Sequence, residues 1–173
     1  MKRKAEAGMK FYTDAFPQVH MWEMATMWHL YTVGHIVALD LARISRRFGL
    51  SIGDVHLLSV VRIDDWRPIR SIDLAQTLNV SQAALSARIE RLIRDGMLIK
   101  TRQANDQRAF TLELSEKGAK VADESVLAFS SDAELVRVLT KLGSDDLEAL
   151  TRILGKVHDE LDRSIVAGFP GDT

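Results

Sequence analysis

No cysteine occurs anywhere in the 173 residues. That absence excludes a disulfide framework, a thiolate-rich zinc site, a cysteine nucleophile and any sensor that works by oxidising a thiol. Proline is almost as scarce, at 3 residues, and glycine stands at 10, too little of either for a fibrous or low-complexity chain. Aromatic residues make up only 6%. No stretch approaches about eighteen uncharged apolar residues, so no membrane span is expected. The first residues, MKRKAEAGMKFYTDAFP, carry a basic cluster, but Tyr12, Asp14 and Pro17 interrupt the apolar run that a signal peptide needs. The expectation is a soluble, cytoplasmic protein. What is present is globular in composition, 46% hydrophobic and 27% charged. The length fits one domain, or a small domain with long helical extensions.

The net charge of −1 conceals an asymmetry. Met1 to Val61 carries seven Lys and Arg against five Asp and Glu; Arg62 to Arg108 carries nine against six; Ala109 to Thr173 carries seven against thirteen. A basic middle followed by an acidic end is what a nucleic-acid binder of ordinary total charge would show, although windows of this size also drift by a few charges.

Hydrophobic spacing predicts a helix over 21–48, with Leu30, Val33, Val37, Leu41, Ile44 and Phe48 on one face and Gly49 as its stop. Ser51 and Asp54 form a capping box for a second helix through Val55, Leu58 and Val61. A polar turn at 64–68 leads to a short helix opened by Ser71, with Ile72, Ala75 and Leu78 on one face. Ser81 caps the next helix, which turns Leu85, Ile89 and Leu92 inward and ends at Gly96. The period then changes to two. Leu98, Lys100 and Arg102, a polar turn at 103–107, and Phe110, Leu112 and Leu114 read as a β-hairpin. Helix resumes at Ser115, breaks at Gly143 and restarts at Ser144. In the last helix Leu147, Leu150, Leu154, Val157 and Leu161 form a heptad seam, which calls for a helix partner within the chain or across a dimer.

Two short helices joined by a tight turn at Leu78 to Ser81, followed by a hairpin, make a winged helix-turn-helix. The second helix must hide one face and present small or polar residues to the major groove. Its outward set includes Ser81, Gln82, Ala84, Ser86, Arg88 and Arg91. Glutamine pairs with adenine and arginine with guanine. Lys100, Arg102 and Arg108 bring cations to the wing. A solvated helix followed by an ordinary hairpin would account for each element singly; the order and spacing together are more specific.

At this point the chain resembles the MarR family of bacterial transcription regulators, from about Trp28 to Leu161. The resemblance rests on Gly49 to Leu58 (GLSIGDVHLL), on the helix pair SIDLAQTLNVSQAALSARIERLIRDGMLIK, and on the wing residues Asp106, Gln107 and Arg108 followed by Leu114-Ser-Glu-Lys-Gly118. It implies a mainly α fold with a small β-hairpin wing, in which the first, fifth and sixth helices form a dimerisation domain. It also implies a homodimer that places one recognition helix per subunit into a palindromic site on double-stranded DNA. Arg108 would then lie at the minor groove, with Asp106 holding the wing. Ala84 and Ala87 depart from the usual pattern of the recognition helix, so either Arg88 and Gln82 make the missing contacts or base readout is thinner. Arg91 is either a base contact or a structural ion-pair partner. The division expected is 1–48 for an extension and first dimerisation helix, 49–114 for the DNA-binding lobe and 115–173 for the remaining dimerisation helices.

Other function classes fit less well. The five histidines, His20, His29, His35, His56 and His158, have no metal-ligand spacing, and no phosphate-binding glycine loop or nucleophile elbow occurs. Neither a catalytic site nor a bound cofactor or metal is therefore expected. A winged helix used only for protein contacts remains the alternative, and it leaves the Arg-flanked wing unexplained. On the first helix, Met24, Trp28, Tyr31 and His35 lie roughly 100–160° from the aliphatic face. This second stripe either packs against a partner subunit or lines a pocket. By the resemblance, effectors sit near this helix and the end of the second one, where Arg62 would meet a ligand carboxylate or a phosphate. A small aromatic or phenolic acid is the effector expected, in a repressor of a catabolic or efflux operon.

Overall fold

The structure is a computed structural model that describes residues 11–18, 20–63, 69–102 and 109–167. Its first long helix, α1, spans Met21–Ser45 and runs into a 3-10 turn at Arg46–Phe48. Gly49 ends that turn in the left-handed region, at φ 71°, where a side chain would be strained. Helix α2 (Ile52–Ile63) starts from the expected capping box: Ser51 N–H donates to the Asp54 carboxylate at 2.8 Å, and Asp54 N–H donates back to the Ser51 hydroxyl at 3.2 Å.

The lobe continues through β1 (Ile69–Arg70), α3 (Ser71–Thr77), α4 (Gln82–Arg94), β2 (Leu98–Arg102) and β3 (Ala109–Leu114). Asn79, at φ 49°, makes the tight turn between α3 and α4. Ser81 caps α4 by accepting from Ala84 N–H at 3.2 Å. The hairpin of β2 and β3 pairs Leu98 with Leu114 and Arg102 with Phe110. The sheet has a third strand that the sequence pattern did not suggest. The two residues of β1 pair with β3, giving the order β1-β3-β2. Two residues are too few for alternation to be visible.

One core holds the lobe together, with Val55, Leu57, Leu58, Leu74, Leu85 and Leu112 among its buried side chains. It joins α2, α3, α4 and the sheet, and Ala122 from the following helix, α5 (Glu116–Asp132), enters it too. Ser115 caps α5, accepting from Gly118 N–H at 3.0 Å while its own hydroxyl donates to the Gly96 carbonyl. A Cβ on Gly118 would lie 2.0 Å from the Met97 carbonyl oxygen, so only glycine lets α5 cross the lobe this closely. That gives the Leu-Ser-x-x-Gly segment its physical reason.

The helix expected from Ser115 to Gly143 breaks earlier, at Ala133, which is extended and buried. A short helix, α6 (Glu134–Leu139), follows. Asp40 on α1 accepts the Glu134 N–H at 2.7 Å and also pairs with Arg43, while Arg47 bonds Asp132. The elbow is thus fixed by carboxylates satisfying a helix start and by arginines from α1. Such a tertiary cause leaves no local signal. The Glu134 N–H first, and then Arg43, hold the Asp40 carboxyl below its ordinary value; Arg47 and Ser131 do the same for Asp132.

The last helix, α7 (Ser144–Ala167), is 24 residues long. Among the described residues it packs only sparsely against the other elements. Leu154, Val157 and Leu161 of its seam are exposed, and Leu147 and Leu150 only half-buried. The aliphatic face of α1 behaves similarly: Ile44 is buried, Val37, Leu41 and Phe48 are half-buried, and Leu30 and Val33 are exposed. No described helix is long and apolar enough to cross a membrane.

Candidate nucleic-acid interface

Helix α4 is amphipathic in the sense a groove-reading helix requires. Leu85, Ile89 and Leu92 are buried in the lobe, while Ser81, Gln82, Ala83, Ala84, Ser86 and Ala87 are exposed. The tight turn before it and the Ser81 cap orient its first turn outward from the lobe.

The two arginines of this helix are placed differently from its small residues. Arg91 bonds the carboxylate of Asp54, and Arg88 Nε lies 3.6 Å from the same Oδ1. Asp54 is fully buried, and its other oxygen accepts from the Ser51 amide and from the Ser51 hydroxyl at 2.6 Å. Both carboxylate oxygens are therefore satisfied, as a buried charge requires. The Arg88 guanidinium rests over Gly53, where a Cβ would stand 2.6 Å from its Nη2. Its side chain is 21% exposed and that of Arg91 44%. Sequence reasoning found the Ser51–Asp54 capping box but not that Asp54 also anchors the recognition helix. The signal was a carboxylate and a pair of arginines three residues apart, on segments whose packing could not be foreseen.

The wing is only partly described. Arg102 ends β2 opposite Phe110, while Asp106 and Arg108 lie outside the described residues. Lys100, two residues further into the strand and opposite Leu112, is exposed.

The residues expected at an effector pocket are not gathered into one. Trp28 and Tyr31 meet edge to face, their ring centroids 5.7 Å apart, and both are exposed, as is His35. Arg62 forms an exposed ion pair with Asp123 on α5 at 3.2 Å. A cavity of about 640 Å³ lies elsewhere, between α3, the start of α4 and Asp162 of α7, with Asp73, Asn79 and Gln82 in its wall. Among the described residues, no group of three or more acidic or imidazole side chains is close enough to hold a metal ion.

Comparison with known proteins accords with this geometry. Residues 50–110, the lobe from α2 to the start of β3, match the model of the MarR family. The transcriptional regulator AdcR of Streptococcus pyogenes serotype M6 is 28% identical over 120 residues, which cover 66% of this chain and 82% of that relative. Among solved structures, MepR of Staphylococcus aureus in complex with DNA superposes with a TM-score of 0.67 at 16% identity, covering 78% of this chain and 96% of the other. A mutant of MarR from E. coli complexed with operator DNA gives 0.61 at 19%, covering 84% and 96%. At such identities the two structures speak for a shared fold. Taken with the lobe match and the curated relative, they make the chain similar to MarR-family transcriptional regulators, in sequence over the lobe and in fold over most of its length.

Proposed function

We propose that this protein is a cytoplasmic, ligand-responsive repressor that binds a palindromic operator as a homodimer. The observation that carries the reading is α4: a helix anchored at its root by Asp54 and bare of core packing on its outer face, in a fold shared with proteins solved on DNA. Ser81, Gln82 and Ser86 are its groove-facing residues, with Arg88 and Arg91 behind them. Arg102 and Arg108 in the wing meet phosphate and the minor groove, and Asp106 steadies that wing. The division into 1–48, 49–114 and 115–173 follows, the outer parts serving assembly. The apolar faces of α1 and α7 left open in one chain support a second copy as their cover.

Two lobes would then read successive major grooves roughly 10 bp apart. A ligand that alters their separation by an amount costing ~3–4 kcal/mol would weaken binding a few hundredfold. The proposed effector is a small aromatic acid, such as a hydroxylated or methoxylated benzoate. It is supported by the exposed Trp28 and Tyr31 rings beside His35, and by Arg62, whose exposed pairing with Asp123 a ligand carboxylate could replace. The regulated genes would belong to aromatic catabolism or efflux.

The test of the DNA reading is fluorescence anisotropy on duplexes selected from a random pool, repeated across salt concentrations. Affinity should fall steeply with salt, and Arg108→Ala should weaken binding to all sequences alike. Salt-independent binding, or none, would favour a winged helix used for protein contacts. The effector is tested by calorimetric titration of a panel of aromatic acids into wild type, His35→Ala and Arg62→Ala. Binding unaffected by both substitutions would return the stripe to packing.

A further inference from the structure

The arginines of a recognition helix are the first residues to assign to guanine, whose O6 and N7 accept a bidentate guanidinium. Here both arginines of the middle of α4 are already engaged. Arg91 bonds Asp54, and Arg88 lies beside the same carboxylate, over a backbone position that has no side chain. At ~100° per residue, the direction opposite Leu85, Ile89 and Leu92 is occupied by Ala83, Ala87 and Glu90, with Ala84 and Ser86 further round on either side. These five are exposed; Arg91, which also starts from this face, has its guanidinium drawn back to Asp54. Arg94 shares that face only at the last residue of the helix. The first two turns therefore present no cation outward. Their one bidentate group is the amide of Gln82, the exposed first residue of the helix though not on its outward face by phase, and it matches adenine N6 and N7. Glu90, one turn further on, offers acceptors only and opposes the acceptor edge of guanine.

We propose that Gly53 and Asp54 form a seat that withholds Arg88 and Arg91 from the bases, so that half-site specificity is set by Gln82 and by methyl contacts of the alanines with thymine. In this arrangement Asp54 is a positioning residue: it fixes the pitch of α4 on α2 and keeps two cations at the helix root. The sequence read under the first two turns of α4 is then A·T-rich and lacks a guanine held by arginine. This inference rests on the DNA-binding reading above.

The experiment selects duplexes from a random pool with the full-length wild type and with Gln82→Ala, Arg88→Gln and Asp54→Asn. Gln82→Ala should lose discrimination at one adenine by about 5- to 150-fold, the range for one bidentate contact. Arg88→Gln should enrich the wild-type consensus, with any loss of affinity equal across sequences. Asp54→Asn keeps the shape of the side chain but releases the cations, and should admit guanine at a position wild type rejects. Replacing single thymines of the selected half-site by deoxyuridine should cost about fourfold for each methyl in contact. That ratio is taken within one protein, so a general change in stability cancels.

A guanine preference in wild type that disappears in Arg88→Gln would overturn the proposal, as would equal binding of thymine and deoxyuridine duplexes at every position. Failure to enrich any duplex would instead overturn the DNA-binding reading itself. The two failures are therefore distinguishable.

Discussion

The lobe and the long helices use hydrophobic periodicity to opposite ends. In the lobe, Leu58, Leu85, Leu92 and Leu112 are wholly buried by their own chain. In α1 and α7, Leu30, Val33, Leu154 and Leu161 follow equally regular spacing and are left in the open. A periodic apolar face specifies a helix and the direction it must hide, but not which chain hides it. The lobe closes within about 65 residues because short helices and a sheet surround a common centre. A long isolated helix has no such centre and must find another helix.

The largest effect should come from the lobe. Leu58→Ala removes a fully buried side chain and should cost about 2–5 kcal/mol, read as a lowered denaturation midpoint. Leu30→Ala, on the open face of α1, should leave the unfolding of the lobe unchanged and weaken only the assembly. Equal losses from both would erase the distinction between the two regions.

Next is Leu154→Asp on α7. A carboxylate pressed against an apolar partner helix should cost the assembly ~2–4 kcal/mol, seen as dissociation in sedimentation at dilutions where wild type is intact. The lobe's near-ultraviolet spectrum should persist. A stable dimer of this variant would mean that the seam lies outside the interface.

Gly118→Ala sharpens the boundary between the regions, because α5 belongs to both. Its Cβ would strike the Met97 carbonyl, which is backbone and cannot swing away. A loss of about 1–3 kcal/mol is expected by chemical denaturation. Gly53→Ala meets only the movable end of Arg88 and should be the milder of the two.

The smallest effect is at the elbow. The Asp40 carboxyl is held below its ordinary 3.8 by the Glu134 amide and Arg43, so its stabilisation is complete above that value and disappears as pH falls through the lowered one. Asp40→Asn should therefore melt slightly below wild type at neutral pH, with the gap closing only in strong acid. A gap that widened in acid would contradict the assignment.

These differences also explain what the sequence could and could not disclose. The caps at Ser51 and Ser81, the return to helix at Ser115, the turn through Asn79 and the hairpin alternation are local, and each was legible from neighbouring residues. The two-residue strand β1 and the break at Ala133 depend on partners distant in the chain, β3 in one case and Asp40 in the other. The candidate interface divides in the same way. The outward alanines follow from helical phase alone, and Gln82 from its place just after the Ser81 cap. That Arg88 and Arg91 share Asp54 required the packing of α4 on α2.

The most direct test of a self-contained lobe carried by helices that need a second copy is stoichiometry on DNA. Analytical ultracentrifugation of the full-length protein with a selected palindromic duplex should show two chains per duplex. A duplex holding one half-site should bind much more weakly. One chain per palindrome, with the half-site bound equally well, would contradict the account.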